Sequence, residues 1–150
     1  MRNYPILAVV GVVEYQGKFL LIERCSDDEH YSNTWAFPGG RVEIGETVVE
    51  ALRREIEEET NLELIDEAAF LNTFKFEDKV GLAFLLRAKS DKVKVCEDIT
   101  NYKWVESVEE MQKLKIIPGI CNHLVDAQKA MKNLTSLEDM NLIYSKFINK

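Results

Sequence analysis

The stretch GGRVEIGETVVEALRREIEEETNL, Gly39 to Leu62, decides how this chain folds. Glu46 to Thr60 holds neither Gly nor Pro and follows Gly45, so it reads as a helix of about four turns at ~3.6 residues per turn. Asn61 ends that helix, because Asn tolerates the left-handed backbone a helix C-terminus often needs. At ~100° per residue, Val48, Val49, Leu52 and Ile56 fall within about one third of the circle and mark a face that packs on a sheet. Glu50, Arg53 and Glu57 lie opposite, in the mixed-sign pairs of a solvated face.

Glu55, Glu58 and Glu59 break this partition. Glu55 sits at one edge of the apolar arc and Glu59 inside it, level with Val48 and Leu52. Carboxylates at i, i+3 and i+4 project side by side, and unpaired anions partly screened from water drive one another toward protonation. Arg54 offsets one charge at most and points away from Glu59, so a divalent cation is the better partner, with a structural acid cluster as the alternative. Oxygen-only ligation, without a nearby His or Cys, favours Mg²⁺, or Mn²⁺, over zinc. Pro38-Gly39-Gly40 predicts a sharp loop whose backbone can approach a ligand or metal closely, with Gly40 a candidate substrate contact. Glu46 opens the helix, where a carboxylate also suits the positive end of the macrodipole.

Gly40, five residues, Glu46, seven residues, Arg54-Glu55-Ile56, one residue, Glu58-Glu59, one residue, Asn61-Leu62: this pattern resembles the Nudix box, departing from it only at Asn61, where that family usually has Gly. Trp35-Ala36-Phe37-Pro38-Gly39-Gly40 resembles the family's lead-in, and Leu20 to Arg24 its second strand; the likeness runs from about Val9 to Val105. It implies the Nudix fold, an α+β, α/β/α arrangement with a mixed sheet between helices and the box as its loop-helix-loop. It also implies metal ligation by Glu55, Glu58 and Glu59, with the Gly39 carbonyl as a further ligand. Arg54 then orients a glutamate through a charge-assisted hydrogen bond, and Glu46 supports the box through a similar contact. One more acid is expected from the loop before the last core strand, either Glu97 or Asp98.

The activity so implied is Mg²⁺-assisted attack of water on a pyrophosphate linkage of a nucleoside diphosphate derivative. A compact chain suits a nucleoside triphosphate, cut to a monophosphate and pyrophosphate. An ADP-ribose or nucleotide-sugar pyrophosphatase is the alternative, and a non-catalytic nucleotide-binding regulatory module the reading from another class. Arg24, at the end of the second strand, is the candidate contact for substrate phosphate. Phe74 or Trp35 is the candidate to stack on a base, and core packing is the default for at least two of Phe74, Phe76 and Phe84. His30, in an acidic loop, and His123, in a candidate helix, read as incidental.

Outward from the box, Val9 to Tyr15 and Lys18 to Ile22 read as a hairpin turning at Gln16-Gly17. Ser26 to Thr34 is a polar loop, and Trp35-Ala36-Phe37 returns to the core. Ala69 to Phe76, Val80 to Arg87 and Tyr102 to Val105 follow as strands, and Pro118 opens a helix to about Met131. From Ser136, apolar residues at Leu137, Met140, Tyr144 and Phe147 predict a packed terminal helix over about 136–149.

Length and composition agree with one domain over 1–150: 150 residues with 46% hydrophobic residues suffice for one core. The apolar run from Ile6 to Val13 is too short to span a membrane and has no small-residue cleavage pattern, so no membrane partner is expected. Three scattered cysteines, Cys25, Cys96 and Cys121, fit reduced thiols in a cytoplasmic protein. A net charge of −7 argues against a nucleic acid polymer as partner. It allows a small-molecule nucleotide bridged by a divalent cation. Monomer and homodimer both remain open.

Overall fold

Two apolar, β-branched runs flanking Gln16-Gly17 form the first hairpin of the computed structural model, which describes residues 4–25 and 33–140. Strands β1 (Ile6–Tyr15) and β2 (Lys18–Arg24) pair antiparallel. Gln16 and Gly17 both take positive φ, 49° and 80°, the turn that matches the twist of its strands. After β3 (Thr34–Ala36) and β4 (Gly39–Arg41), the chain enters helix α1 (Val48–Thr60). Then come β5 (Leu64–Phe76), β6 (Lys79–Ala88), β7 (Ile99–Val105), α2 (Val108–Gln112) and α3 (Cys121–Ala130).

The strands make one seven-stranded sheet in the order β3-β2-β1-β6-β5, with β4 added to β1 and β7 to β2. Among the strand pairs of the described residues β1–β6 is parallel and the others antiparallel, so the sheet is mixed. Successive residues of a strand face opposite sides, and both sides are buried. Val9, Val13, Leu20, Ile22, Phe84 and Leu86 meet Leu52 and Ile56 of α1 on one face. On the other, Val12, Phe19, Leu21 and Leu85 meet Met111 of α2 and Leu124 and Ala127 of α3. The result is the expected α/β/α layering. None of the helices among the described residues is long and apolar enough to cross a membrane.

Local chemistry moves several boundaries. Helix α1 starts at Val48 rather than Glu46, because Thr47 caps it, its hydroxyl accepting from the Glu50 N–H at 3.1 Å. Asn61 ends it as expected, in the left-handed region at φ 58°. Pro38-Gly39-Gly40 is not a plain break, since Gly39–Arg41 pairs with β1, Val10 opposite Gly39 and Val9 opposite Gly40. Pro118 does not open α3: Gly119, at φ 89°, turns the chain first, and the helix begins at Cys121. Helix α2, capped by Ser107, was not foreseen. Beyond Ser136 the chain is helical from Leu137 to Met140, both buried on the α1 side, and Tyr144 and Phe147 lie outside the described residues. Of the predicted loop over 26–34, 26–32 also lie outside them, while Thr34 is buried in β3.

Candidate active site

Capping at Thr47 and Asn61 holds α1 at both ends, and the pairing of β4 with β1 lays the Gly39-Gly40 backbone beside it. The contact is close: a Cβ on Gly40 would displace the Glu55 carboxyl group, and one on Gly39 would collide with the Val9 backbone carbonyl oxygen, so only Gly39 is fixed by backbone. Glu59 is 5% exposed, and its Oε1 accepts the Gly39 N–H at 3.0 Å. Its Oε2 lies 2.8 Å from Arg24 Nη2 in an ion pair yet receives no aligned hydrogen bond among the described residues. The same Arg24 Nη2 donates to the Gly39 carbonyl at 3.0 Å.

Arg54 organises the opposite side. Its Nε and Nη2 donate to the two Glu46 oxygens at 2.7 and 2.9 Å, Nη1 to Glu55 Oε1 at 2.8 Å, and Nη2 also to the Arg41 carbonyl at 3.0 Å. Glu46 accepts the Glu43 N–H at 2.9 Å, so the 41–46 loop is tied back to the helix through one guanidinium. Arg54, then the Glu43 N–H, hold the Glu46 carboxyl down to about 2, and Glu46 and Glu55 in turn raise Arg54 further. Arg54 thus bonds Glu46 and Glu55 at once. Glu46 does its work from just before the helix rather than from the first turn.

Burial, first, and the neighbouring Glu55 push the Glu59 carboxyl up to about 7, against the pull of Arg24 and the Gly39 N–H. Glu58 is turned outward, its side chain 59% exposed and 3.4 Å from Arg54 Nη1. Glu55 and Glu59 are thus brought together and Glu58 is not. Among the described residues no three His, Cys, Asp or Glu side chains are already gathered tightly enough to hold an ion. The donors present still fit a hard divalent cation: two crowded carboxylates, a backbone carbonyl and a buried Oε2 without a hydrogen bond, all oxygen.

A cavity of about 570 Å³ opens beside Gly39 and Gly40, within the range of small-ligand sites. Arg24, Gly39, Gly40 and Asp98 line it, as do Phe37, Phe74, Phe76, Ile117, Ile120 and His123, with Lys75, Glu77 and Lys79 beside the phenylalanines of β5. Asp98 faces this space and Glu97 does not, the Asp98 carbonyl being anchored to β2 by the Cys25 N–H at 2.9 Å. Phe74 lines it and Trp35 does not. Only Phe84 of the three alternating phenylalanines is in the core; Phe74 and Phe76 are half-buried cavity residues.

His123, set aside in the sequence, stands on the cavity wall, and His30 lies outside the described residues. Its sequence signal was its place next to the buried Leu124, on a helix whose Ala127 is also buried. Phe37, Ile117 and Ile120 had none, because only the fold brings them together.

The NUDIX domain matches residues 5–119 of this chain. An ADP-ribose pyrophosphatase of Methanocaldococcus jannaschii is 49% identical over 59 residues, 39% of this chain and 34% of that protein. Nucleoside triphosphatase NudI of Escherichia coli is 30% identical over 122 residues, 71% of this chain and 84% of that protein. The crystal structure of a MutT protein from Methanosarcina mazei superposes with a TM-score of 0.67 at 24% identity, covering 89% of this chain and all of that one, and so speaks for the fold. With the box helix, its glycine contacts and the domain match in agreement, the chain belongs to the Nudix hydrolase family.

Proposed function

We propose that this protein is a Mg²⁺-dependent hydrolase that cuts a nucleoside triphosphate to a monophosphate and pyrophosphate, within one Nudix domain spanning 1–150. The observation that carries the reading is the cavity: Arg24, Gly39, Gly40 and Asp98 line it next to the Glu55–Glu59 cluster that Gly39, Gly40 and Arg24 touch, and Phe37, Phe74 and Phe76 give it an aromatic wall. A polyphosphate with a flat base at its far end has that polarity. The likeness to NudI along most of that protein's length supports a triphosphate.

Glu55, Glu59 and the Gly39 carbonyl would hold the cation, joined by Glu58 once it leaves Arg54; Asp98 is the further acid. Bound there, Mg²⁺ supplies neutralisation of phosphate charge and a more acidic water; Mn²⁺ is an alternative ion. Arg54 keeps Glu55 aimed, and a glutamate of the cluster or Asp98 takes the proton of the attacking water. Arg24 contacts substrate phosphate from its place between Gly39 and Glu59, and the Gly40 backbone lets the substrate come close.

The local 49% identity to an ADP-ribose pyrophosphatase favours a second reading, hydrolysis of ADP-ribose or a nucleotide sugar. Pyrophosphate release, coupled to inorganic pyrophosphatase, separates the two across common and oxidised nucleoside triphosphates, ADP-ribose and nucleotide sugars, with Mg²⁺ and with chelator. Mg²⁺-dependent pyrophosphate from triphosphates is expected. Monoesters appearing only from ADP-ribose or sugars would move the assignment to the second reading, and no turnover with Mg²⁺ or Mn²⁺ to a non-catalytic module.

A further inference from the structure

Arg24 stands on two of the oxygens that would hold the cation. A single nitrogen, Nη2, donates to the Gly39 carbonyl at 3.0 Å and lies 2.8 Å from Glu59 Oε2. The β2–β7 register shifts between Glu23 and Arg24, whose partners are Asn101 and Ile99, an irregularity of the kind that re-aims a side chain. Glu59 Oε1 already accepts the Gly39 N–H, so Gly39, Glu59 and Arg24 close a small ring of polar contacts beside the cavity.

The two arginines of the site are held differently. Arg54 grips both Glu46 oxygens with two nitrogens, at 2.7 and 2.9 Å, and also bonds Glu55 and the Arg41 carbonyl. Forked, charge-assisted bonding of this kind fixes a guanidinium. Arg24 meets Glu59 Oε2 without an aligned hydrogen bond among the described residues, and its side chain, 37% exposed, is on the cavity wall. It supplies charge there rather than a fitted bond. Oε2 is itself buried, so an ion reaches it only after a neighbour moves, and Arg24 has open space to move into. Both cannot stay: with cation–oxygen distances of about 2.1 Å, an ion on these oxygens would lie within about 5 Å of Nη2, like charge against like charge.

We propose that Arg24 competes with the cation: its guanidinium holds the Gly39 carbonyl and Glu59 Oε2, gives them up when a divalent ion binds, and turns into the cavity to meet a substrate phosphate. This rests on the reading of Glu55, Glu59 and Gly39 as cation ligands. Cation and phosphate are thereby coupled. An ion binding alone must leave the guanidinium without a partner, whereas a phosphate in the cavity gives it a new one, so each ligand favours the other.

The test is Mn²⁺ affinity at pH 8 without nucleotide, read from the electron paramagnetic resonance signal of the free ion, for wild type, Arg24→Met and Arg41→Met. Arg24→Met should bind Mn²⁺ about 10-fold more tightly, since the competitor is gone. Arg41 lines the same cavity with an exposed side chain, so Arg41→Met removes the same charge without touching the ion pair, and should bind as wild type does. Equal or weaker binding by Arg24→Met, or equal tightening in both variants, overturns the proposal and leaves the cation site standing. Binding by none of the three overturns both. A second readout, on wild type, holds even if Arg24→Met fails to fold. Rotation about the Arg24 Cζ–Nη2 bond, slowed by its two contacts and followed by ¹⁵N exchange, should speed up on addition of Mg²⁺ alone. Rotation unchanged or slower at saturating Mg²⁺ overturns the proposal.

Discussion

The charged end of the site, Glu46, Arg54, Glu55 and Glu59, comes from a single loop and helix; the cavity-lining end, Phe37, Phe74, Ile117 and His123, comes from four separate parts of the chain. The first end is dense in charge and internally hydrogen-bonded, with Arg54 touching Glu46, Glu55, Glu58 and the Arg41 carbonyl. The second is largely apolar, with the buried His123 Nδ1 without a hydrogen-bond partner among the described residues. Like charges must be held at fixed offsets to share one cation, and a helix supplies such offsets locally. An apolar wall needs only area, which distant segments provide once they pack. The comparison teaches that chemistry and selectivity are encoded here on different length scales.

Substitutions at the charged end should therefore hit turnover, and the largest loss is expected at Glu58. Glu58→Gln should cut turnover by several orders of magnitude while thermal melting stays near wild type, since the side chain is mostly exposed and its one bond, to Arg54, is long. Near-normal turnover would detach Glu58 from the cation and break the comparison. Gly40→Ala is next. Its Cβ meets only the end of the Glu55 side chain, so a loss of about 10- to 100-fold in kcat is expected with little change in melting. Gly39→Ala, meeting backbone, should instead cost about 1–3 kcal/mol of stability, read by denaturant titration.

A smaller effect follows from Glu59. With chelator present, burial pushes its folded carboxyl up to about 7 from 4.5 for an ordinary glutamate, so the folded protein should retain a proton that the unfolded chain gives up. Stability should fall as pH rises through that window and level off above it, and Glu59→Gln should flatten the slope. Glu46 works in the opposite sense but lower, its stabilisation being lost as pH drops below 4.5 toward about 2. Melting curves across both windows separate the two residues. The smallest effect belongs to Glu57, exposed on the far side of α1: Glu57→Gln should leave turnover and stability unchanged. A large loss there would mean the helix faces are misassigned.

The helix wheel located Glu59 correctly on the packing face, because helical periodicity is local and survives any tertiary arrangement. Gln16-Gly17 and Asn61 were legible for the same reason, their backbone demands being those of one turn or one helix end. The start of α1 was missed although Thr47 and Glu50 stood at capping distance, since Glu46 offered a competing first turn. Strand β4 was hidden by its glycines, which punctuate a sequence but here allow close approach to α1 and β1. The choice between Glu97 and Asp98 could not be made from spacing at all. The fold shows only that Asp98, in the turn before β7, lines the cavity and Glu97 does not.

By itself, the sequence determined the mixed-sheet Nudix architecture, the helix that carries the carboxylates, and the pairing of Arg54 with that helix, because each rests on the identity and spacing of residues close in the chain. Only the tertiary structure decided that Arg24 reaches Gly39 and Glu59, that Glu58 stands apart from Glu55 and Glu59, and that Phe74 and His123 share a wall. Those contacts join residues far apart in sequence or depend on side-chain direction, and a linear pattern carries neither kind of information.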